Sequence, residues 1–187
     1  MSRDELSISW SRRAALGGLL GLAGCGFRPL YAPVSAADGS MSDISTELAS
    51  VRVGGIYERL GQLLRRSLQR RLEGSVPGTP ARYMLQVTVT GVPEILGYRR
   101  DGAITRVRYV VSANWALATL SVPPQPVASS AIPYRTLDSF NIPDLQFFAA
   151  DSARDSMEAR VAEELADEIV RHVAMELRRR KEASTTA

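Results

Sequence analysis

The sequence predicts an α+β fold, a two-layer sandwich in which two helices pack on one face of a four-stranded sheet. Two segments repeat their apolar residues with the period of a helix, and each has a single apolar face. The other patterned segments have the character of strands, and the long ones alternate apolar and polar residues. The order is β-α-β-β-β-α. A single sheet covered on one side by both helices buries every apolar face with the fewest layers.

The first strand and the first helix open the predicted domain, which covers residues 47–181. Residues 48–53 have the composition of a short strand. From Ile56 to Leu72 the period becomes helical, because leucines recur every four residues while arginines occupy the other side. Gly74 follows as a C-terminal cap. The segment is therefore predicted to be an amphipathic helix with one core face.

A β-hairpin follows this helix. Residues 83–90 alternate apolar and polar side chains, and residues 103–120 do so over a longer stretch. Between them lies the segment Tyr98-Arg99-Arg100-Asp101-Gly102, and an Asp-Gly pair between two alternating runs is a strong turn signal. The predicted hairpin therefore carries a strongly basic turn.

The last strand and the last helix complete the order. Residues 127–136 predict a fourth strand, and Pro133 places it at an edge or beside a bulge, because proline cannot donate to a sheet ladder. Residues 147–180 predict a long helix, with an apolar side chain at every fourth position. Residues 182–187 are small and polar and predict a disordered tail. The helix-free face of the sheet is polar, so either solvent or a partner covers it.

The N-terminal residues have the layout of a secretory signal. Arg12 and Arg13 precede a short run of apolar and small residues that ends at Cys25, the single cysteine of the chain. The run is too short for a transmembrane helix, and its glycines weaken a buried helix. The residues also allow an ordinary secretory signal with a free thiol at Cys25. They do not decide between general secretory and twin-arginine export. Leu22-Ala23-Gly24-Cys25 has the form of a lipobox, so we predict a signal peptide at 1–24, lipidation of Cys25 and a flexible tether at 25–46.

Charge and composition reduce the number of possible partners and covalent links. The net charge is +3 at pH 7, and residues 1–24 hold three arginines and two acids, so their removal leaves +2 on 163 residues. This balance predicts no nucleic-acid partner. The single cysteine excludes an internal disulfide.

No catalytic constellation stands out in the sequence. His172 is the only histidine and is interpreted as a surface residue. The pair Gly54-Gly55 lacks the further residues of a nucleotide-binding loop. The acids of the last helix are interpreted as a solvated face. A lipid-anchored hydrolase is disfavoured, because the sequence offers no pair of nucleophile and base. We predict a protein that is no enzyme and holds no cofactor or metal.

Arginines are the better binding candidates. Arg99 and Arg100 lie in the predicted turn, and Arg106 and Arg108 follow along the second strand. A guanidinium group bonds two phosphate oxygens at once, so the cluster suits an anion. The alternative is that these charges only protect a strand edge from aggregation. The residues by themselves leave both interpretations open.

Three segments carry a family resemblance. Residues 22–31 read LAGCGFRPLY, residues 134–141 read YRTLDSFN, and the last helix contains ARD at 153–155 and ELADEI at 164–169. Together with the order of strands and helices, they resemble the LptE family of lipopolysaccharide-assembly lipoproteins in its alphaproteobacterial form. The resemblance covers almost the whole chain after Cys25.

The resemblance implies a non-catalytic lipoprotein on the periplasmic face of the outer membrane, anchored through acyl chains such as palmitate on Cys25. It also implies that the domain plugs the LptD β-barrel, helps that barrel assemble and binds lipopolysaccharide. Gly26, rather than an aspartate, is compatible with sorting to the outer membrane. The alternative is a periplasmic lipoprotein that serves as accessory subunit of an inner-membrane transporter.

The same resemblance implies where lipopolysaccharide binds, through basic residues of the hairpin turn and of the start of the last helix. Residues 100–102, Arg-Asp-Gly, match the turn pattern of the family, so the resemblance makes Arg100 the first candidate. The helix-start position is Ala150, which is not basic, so Arg154 one turn later becomes the candidate there. The candidate lipopolysaccharide-binding residues are Arg100, Arg99, Arg106 and Arg154.

Overall fold

A computed structural model describes residues 43–74 and 76–186. The predicted signal peptide, Cys25 and the predicted tether up to residue 42 lie outside the described residues. Over those ranges the chain forms three helices and five strands. They are α1 Asp43–Ala49, β1 Val51–Val53, α2 Glu58–Glu73, β2 Tyr83–Tyr98, β3 Ile104–Thr119, β4 Pro126–Ser129, β5 Tyr134–Asn141 and α3 Phe147–Thr186. The predicted α+β class is confirmed.

The described strands form one mixed sheet. The short β1 runs parallel to the start of β2, with Val51 opposite Tyr83. The hairpin of β2 and β3 is antiparallel over nearly its whole length and places Val87 opposite Trp115. The other edge of β3 pairs with β4 near its end and with β5 near its start. Strand β3 is therefore the centre of the sheet.

The structure corrects the predicted fourth strand. The segment 127–136 is not one strand, because β4 ends at Ser129 and β5 begins at Tyr134. The break contains Pro133, which has no N–H to give to the ladder. The Ser130 amide still donates to the Trp115 carbonyl at 2.9 Å, and β5 then pairs further back along β3. The sheet has five strands where the sequence predicts four.

Both long helices pack on one face of the sheet, as predicted. Leu64, Leu68 and Leu72 of α2 are fully buried, and the four-residue repeat of α3 supplies Leu165 and Ile169. The sheet contributes the inward side chains of β2 and β3 to the same core. Its members there are Tyr83, Leu85, Val87, Val111, Ala113, Trp115 and Leu117. Burial of these side chains, at about 1.5–3 kcal/mol each, is the main stabilising contribution.

The ends of the domain differ from the predicted boundaries. Residues 43–49 form α1, where the sequence predicts the last part of a tether and the start of a strand. Leu48 is 4% exposed and belongs to the core, and the Tyr83 hydroxyl donates to Glu47 Oε1 at 2.8 Å. Packing against the core thus makes this short segment helical. At the other end α3 continues to Thr186, through residues that the sequence assigns to a disordered tail.

Ion pairs join α2 to α3 along their solvent side. Arg71 contacts Glu163 and Asp167 at 2.6 Å each, and Arg59 contacts Asp155 at 2.9 Å. A hydrogen bond from Ser67, followed by that from Arg71, lowers the pKa of Glu163. Acids of α3 therefore pair with arginines of α2, which the interpretation as a solvated face did not include. Because most of these side chains are half exposed, each pair contributes only about 0–1 kcal/mol.

Candidate functional site

The turn between β2 and β3 has the chemistry that its sequence predicts. Gly102 adopts a left-handed conformation with φ of 84°, which favours glycine. The Ala103 amide donates to Asp101 Oδ1 at 3.1 Å, and the Arg99 amide donates to the Ala103 carbonyl at 2.8 Å. These bonds close the turn and fix the direction in which its side chains leave the backbone.

Two carboxylates form ion pairs with the Arg99 side chain. Its guanidinium contacts Asp101 at 2.6 Å and Asp144, in the segment before α3, at 2.6 Å. The hydrogen bond from Arg99, together with that from the Ala103 amide, lowers the pKa of Asp101 to about 2. Hydrogen bonds to Asp101 and Asp144 raise the pKa of Arg99. Arg99 therefore links the hairpin turn to the segment just before α3, and we call its two ion pairs the Arg99 clasp.

Arg100 is in a different position from its neighbour. Its side chain is exposed. Within residues 43–74 and 76–186 it forms no ion pair and no side-chain hydrogen bond. A guanidinium group in water with all its donors unused is available to an anionic ligand. Of the four candidate arginines, Arg100 is the one that the described residues leave free.

Arg106 lies on the helix-free face of the sheet, and its Nη2 donates to Ser139 Oγ at 3.0 Å. Arg154 lies on the helix side, where its Nε donates to Glu158 Oε1 at 2.9 Å and its guanidinium stands 6.0 Å from the centre of the Tyr109 ring. The hydrogen bond to Glu158 raises the pKa of Arg154. The structure thus brings Arg99 and Arg100 together and places Arg106 and Arg154 on opposite sides of the sheet.

Arg154 borders a pocket of about 200 Å³ between α2, α3 and the hairpin. Glu158, which is 5% exposed, lies in its wall, and Arg59 approaches its second oxygen at 3.4 Å. Two arginines thus compensate one buried carboxylate. Arg154 is fixed here by internal contacts and does not reach the hairpin turn.

Exposed apolar side chains surround the clasp, and the sequence pattern did not single them out. Phe147 is 77% and Phe148 is 93% exposed, both in the first turn of α3. Leu145 is 84% exposed, and Tyr98 at the end of β2 is 63% exposed. The ion pair between Arg99 and Asp144 joins these two segments. We call residues 95–104 together with 144–148 the hairpin end.

The sequence signal for this surface exists, but it is ambiguous. The four-residue repeat of α3 extends back from Met157 through Ala153, whereas Phe147 and Phe148 lie in line with the polar residues one turn later. The helix runs past the edge of the core, and its first turn lies in solvent. Ala150, at the position that the family resemblance singles out, lies in this turn, and its amide donates to the Gln146 carbonyl at 3.1 Å. It adds no charge to the hairpin end.

The helix-free face of the sheet is less polar than its sequence pattern predicts. Val92, Val110 and Leu137 lie opposite one another on β2, β3 and β5. Val92 is 55% and Leu137 is 62% exposed, so the row is open to solvent in the isolated domain. The adjacent rows carry Glu94 opposite Arg108, and Thr90 opposite Ser112. This face combines an apolar strip with polar flanks.

His172 is about half exposed and stands 3.0 Å from Glu168 Oε1. In the part of the chain that the structure describes, no group of three or more His, Cys, Asp or Glu side chains could hold a metal ion. Within residues 43–74 and 76–186, no helix is both long enough and apolar enough to cross a membrane.

Comparisons with known proteins identify the family. A putative lipoprotein from Caulobacter crescentus has a TM-score of 0.58 and 26% identity, over 73% of this chain and 96% of its own. A minor lipoprotein from Acinetobacter baumannii has a TM-score of 0.50 and 13% identity, over 68% of this chain and 92% of its own, and so shows a shared fold. No curated protein matches this chain. The family model described as "LptE: Lipopolysaccharide-assembly" matches residues 48–173, which is most of the chain. The chain therefore belongs to the LptE family of lipopolysaccharide-assembly lipoproteins.

Proposed function

We propose that this protein is a lipid-anchored, non-catalytic subunit of the outer-membrane lipopolysaccharide translocon. In this role it plugs the LptD β-barrel, assists its assembly and binds lipopolysaccharide. Membership of the LptE family supports this assignment, and so does the likeness to a Caulobacter crescentus lipoprotein. The proposed anchor is acylated Cys25, which lies outside the described residues, and the proposed location is the periplasmic face of the outer membrane.

The hairpin end is the observation that carries the proposal of lipopolysaccharide binding. It presents the unengaged guanidinium of Arg100 on one segment and the exposed rings of Phe147 and Phe148 on the other, and the ion pair between Arg99 and Asp144 joins the two segments. Lipopolysaccharide is an amphiphile that combines phosphate groups with acyl chains. A guanidinium group suits the phosphates, and exposed apolar side chains of this size mark a binding surface. The Arg99 clasp holds both kinds of group at one end of the domain.

The helix-free sheet face supports the proposed place inside a barrel. The interior of an outer-membrane barrel is polar, and this face presents charged and hydroxyl side chains on both sides of a narrow apolar strip. The helix layer covers the opposite face. We therefore assign the barrel contact to the helix-free face, centred on Val92 and Leu137.

Co-purification from detergent-solubilised outer membranes tests the translocon assignment. We expect a large β-barrel protein to accompany the tagged chain, and we expect Leu137→Asp to reduce its recovery severalfold. Met175→Asp is the matched control, because Met175 is an exposed apolar residue of the helix layer. Recovery of the chain in the inner membrane, without a barrel protein, would contradict the assignment and favour an inner-membrane transporter subunit. Equal loss in both variants would contradict the choice of face.

A further inference from the structure

The second surface that combines basic and exposed apolar side chains lies at the opposite end of the domain. Helix α3 runs from the hairpin end to the start of β2, where Arg180 and Lys181 line one depression with Arg82 and Tyr83. The Leu120 amide, just after β3, donates to the Arg82 carbonyl at 2.9 Å. We call Arg82, residues 120–124 and residues 178–181 the basal end.

The basal end carries an excess of positive charge. Residues 178–181 are three arginines and a lysine in succession, and Arg82 lies beside them. The nearby acids are fewer, with Glu176 holding Arg179 at 2.5 Å and Glu47 standing 3.4 Å from Arg82. Glu182 is the third acid. Five basic side chains therefore face three acidic ones, and Arg180 is exposed.

An apolar loop projects from the same end. Val122 is 98% exposed and Leu120 is 45% exposed, in the connection between β3 and β4. Two prolines, Pro123 and Pro124, follow directly, and proline restricts the backbone to few conformations. A side chain as exposed as Val122 gains nothing from the fold of the isolated domain. It can gain free energy by entering an apolar phase.

The chain enters the fold at this end. Helix α1 leads into Ser50, whose carbonyl accepts hydrogen bonds from the amides of Arg82 and Tyr83 at 2.9 and 3.3 Å. Helix α1 has seven residues, so its first residue lies within about 10 Å of that point. Seventeen residues separate Cys25 from Asp43. A lipid anchor on Cys25 is therefore connected to the domain beside the basal end and away from the hairpin end.

We propose that the basal end docks on the anionic headgroups of the membrane that holds the anchor, with Val122 and Leu120 entering the interface. This inference deepens the proposed function and rests on the lipid anchor within it. Each arginine or lysine near an anionic surface strengthens membrane binding by about fivefold. An acyl anchor combined with a basic patch is a common form of two-signal attachment. Docking would hold the hairpin end away from the membrane surface.

Co-sedimentation with vesicles tests this docking. The chain from residue 25 onward, with Cys25→Ser so that no acyl chain is added, contains all of the buried core, which lies within residues 48–177. We expect it to bind vesicles of phosphatidylcholine with phosphatidylglycerol at low salt, and to bind phosphatidylcholine alone much more weakly. Binding to the mixed vesicles should fall as salt rises, because ions screen exposed charges.

Paired variants separate the basal end from net charge. Arg179→Glu with Arg180→Glu should weaken binding to the mixed vesicles by at least tenfold. Arg65→Glu with Arg66→Glu makes the same charge change on exposed arginines of α2 and should have a much smaller effect. Val122→Asp should also weaken binding, while Ile132→Asp, at a side chain 79% exposed, should not.

Two results would overturn the inference: no preference for anionic vesicles, or equal losses in the basal and the α2 charge variants. Neither lipopolysaccharide nor a barrel is present in this assay. Its failure would therefore leave the translocon assignment standing, and a failed co-purification would leave the vesicle result standing. Mass determination of the chain isolated from cells tests the acyl anchor separately.

Discussion

The hairpin end and the basal end are built from the same kinds of side chain and arrange them differently. At the hairpin end two carboxylates bind Arg99, Arg100 has no ion-pair partner among the described residues, and the segment that holds Asp144 carries exposed aromatic rings. At the basal end four basic residues follow one another on one helix beside an apolar loop. The first arrangement suits one defined anionic group, and the second suits a surface with many. Both ends contain paired arginines, so the number of basic residues distinguishes the two more than pairing does.

Buried and exposed apolar side chains near the two ends have different roles. Leu48 of α1, near the basal end, is 4% exposed, whereas Phe148 at the hairpin end is 93% exposed. The first side chain stabilises the fold and the second does not. Mutations at the two ends should therefore separate stability from binding.

The largest expected effect is on stability, from Leu48→Ala. Removal of a buried leucine side chain lowers the free energy of unfolding by about 2–5 kcal/mol. Urea denaturation followed by circular dichroism measures the change. We expect α1 to loosen first, because only a few residues hold it. Val122→Ala is the control at the same end, and it should change stability by less than about 0.5 kcal/mol because Val122 is 98% exposed.

The next effect is on binding, from Phe147→Ser with Phe148→Ser. We expect stability within about 0.5 kcal/mol of the unchanged chain, and lipopolysaccharide binding weaker by tenfold or more, because two exposed rings lose their contact with acyl chains. Binding of fluorescently labelled lipopolysaccharide measures this loss. If affinity stayed the same while the fold stayed intact, the aromatic part of the hairpin end would have no role in binding.

A smaller effect is expected from Arg100→Gln, which keeps a polar side chain but removes the charge. A hydrogen bond to a charged group contributes about 1.5–3 kcal/mol, and exposure of Arg100 to solvent favours the lower end of that range. Affinity for lipopolysaccharide should therefore fall by about tenfold. Arg65→Gln on α2 is the matched control and should leave affinity unchanged.

Arg99→Gln should instead loosen the hairpin, which altered NMR amide signals at Asp101 and Asp144 would show. Equal affinities for the Arg100 and Arg65 variants would return Arg100 to the role of an edge charge.

Much of this fold was predictable because its long elements have strong periods. The leucines of α2 and the four-residue repeat of α3 leave one interpretation each, and the Asp101-Gly102 pair predicts the turn. Helix α1 was missed because seven residues are too few to form a helix alone. It depends on the packing of Leu48 and on the bond between Tyr83 and Glu47, which no local pattern reveals.

The site was predictable only in part. Turn chemistry alone points to Arg99 and Arg100 equally, and the family resemblance favours Arg100. The physical difference between them is Asp144, which is distant in sequence and reaches Arg99 through the fold. Arg154 was selected by its place on the helix, and its engagement with Glu158 is likewise a tertiary contact. Lipopolysaccharide binding by these four arginines stays a prediction. The structure ranks Arg100 first among them.

The smallest expected effect concerns the pH range over which the hairpin end stays closed. The pKa of Asp101 lies at about 2, against 3.8 for an unperturbed aspartate, because Arg99 and the Ala103 amide bind the ionised form. A lowered pKa stabilises the folded turn above pH 3.8, and this contribution is lost as the pH falls through about 2. Titration of the Asp101 carboxyl by NMR should give a midpoint near 2, which Arg99→Ala should move towards 3.8. A midpoint unaffected by Arg99→Ala would show that the clasp does not hold in solution. Arg99 would then be as free as Arg100, and the two ends would differ only in the number of their basic residues and in the aromatic rings of the hairpin end.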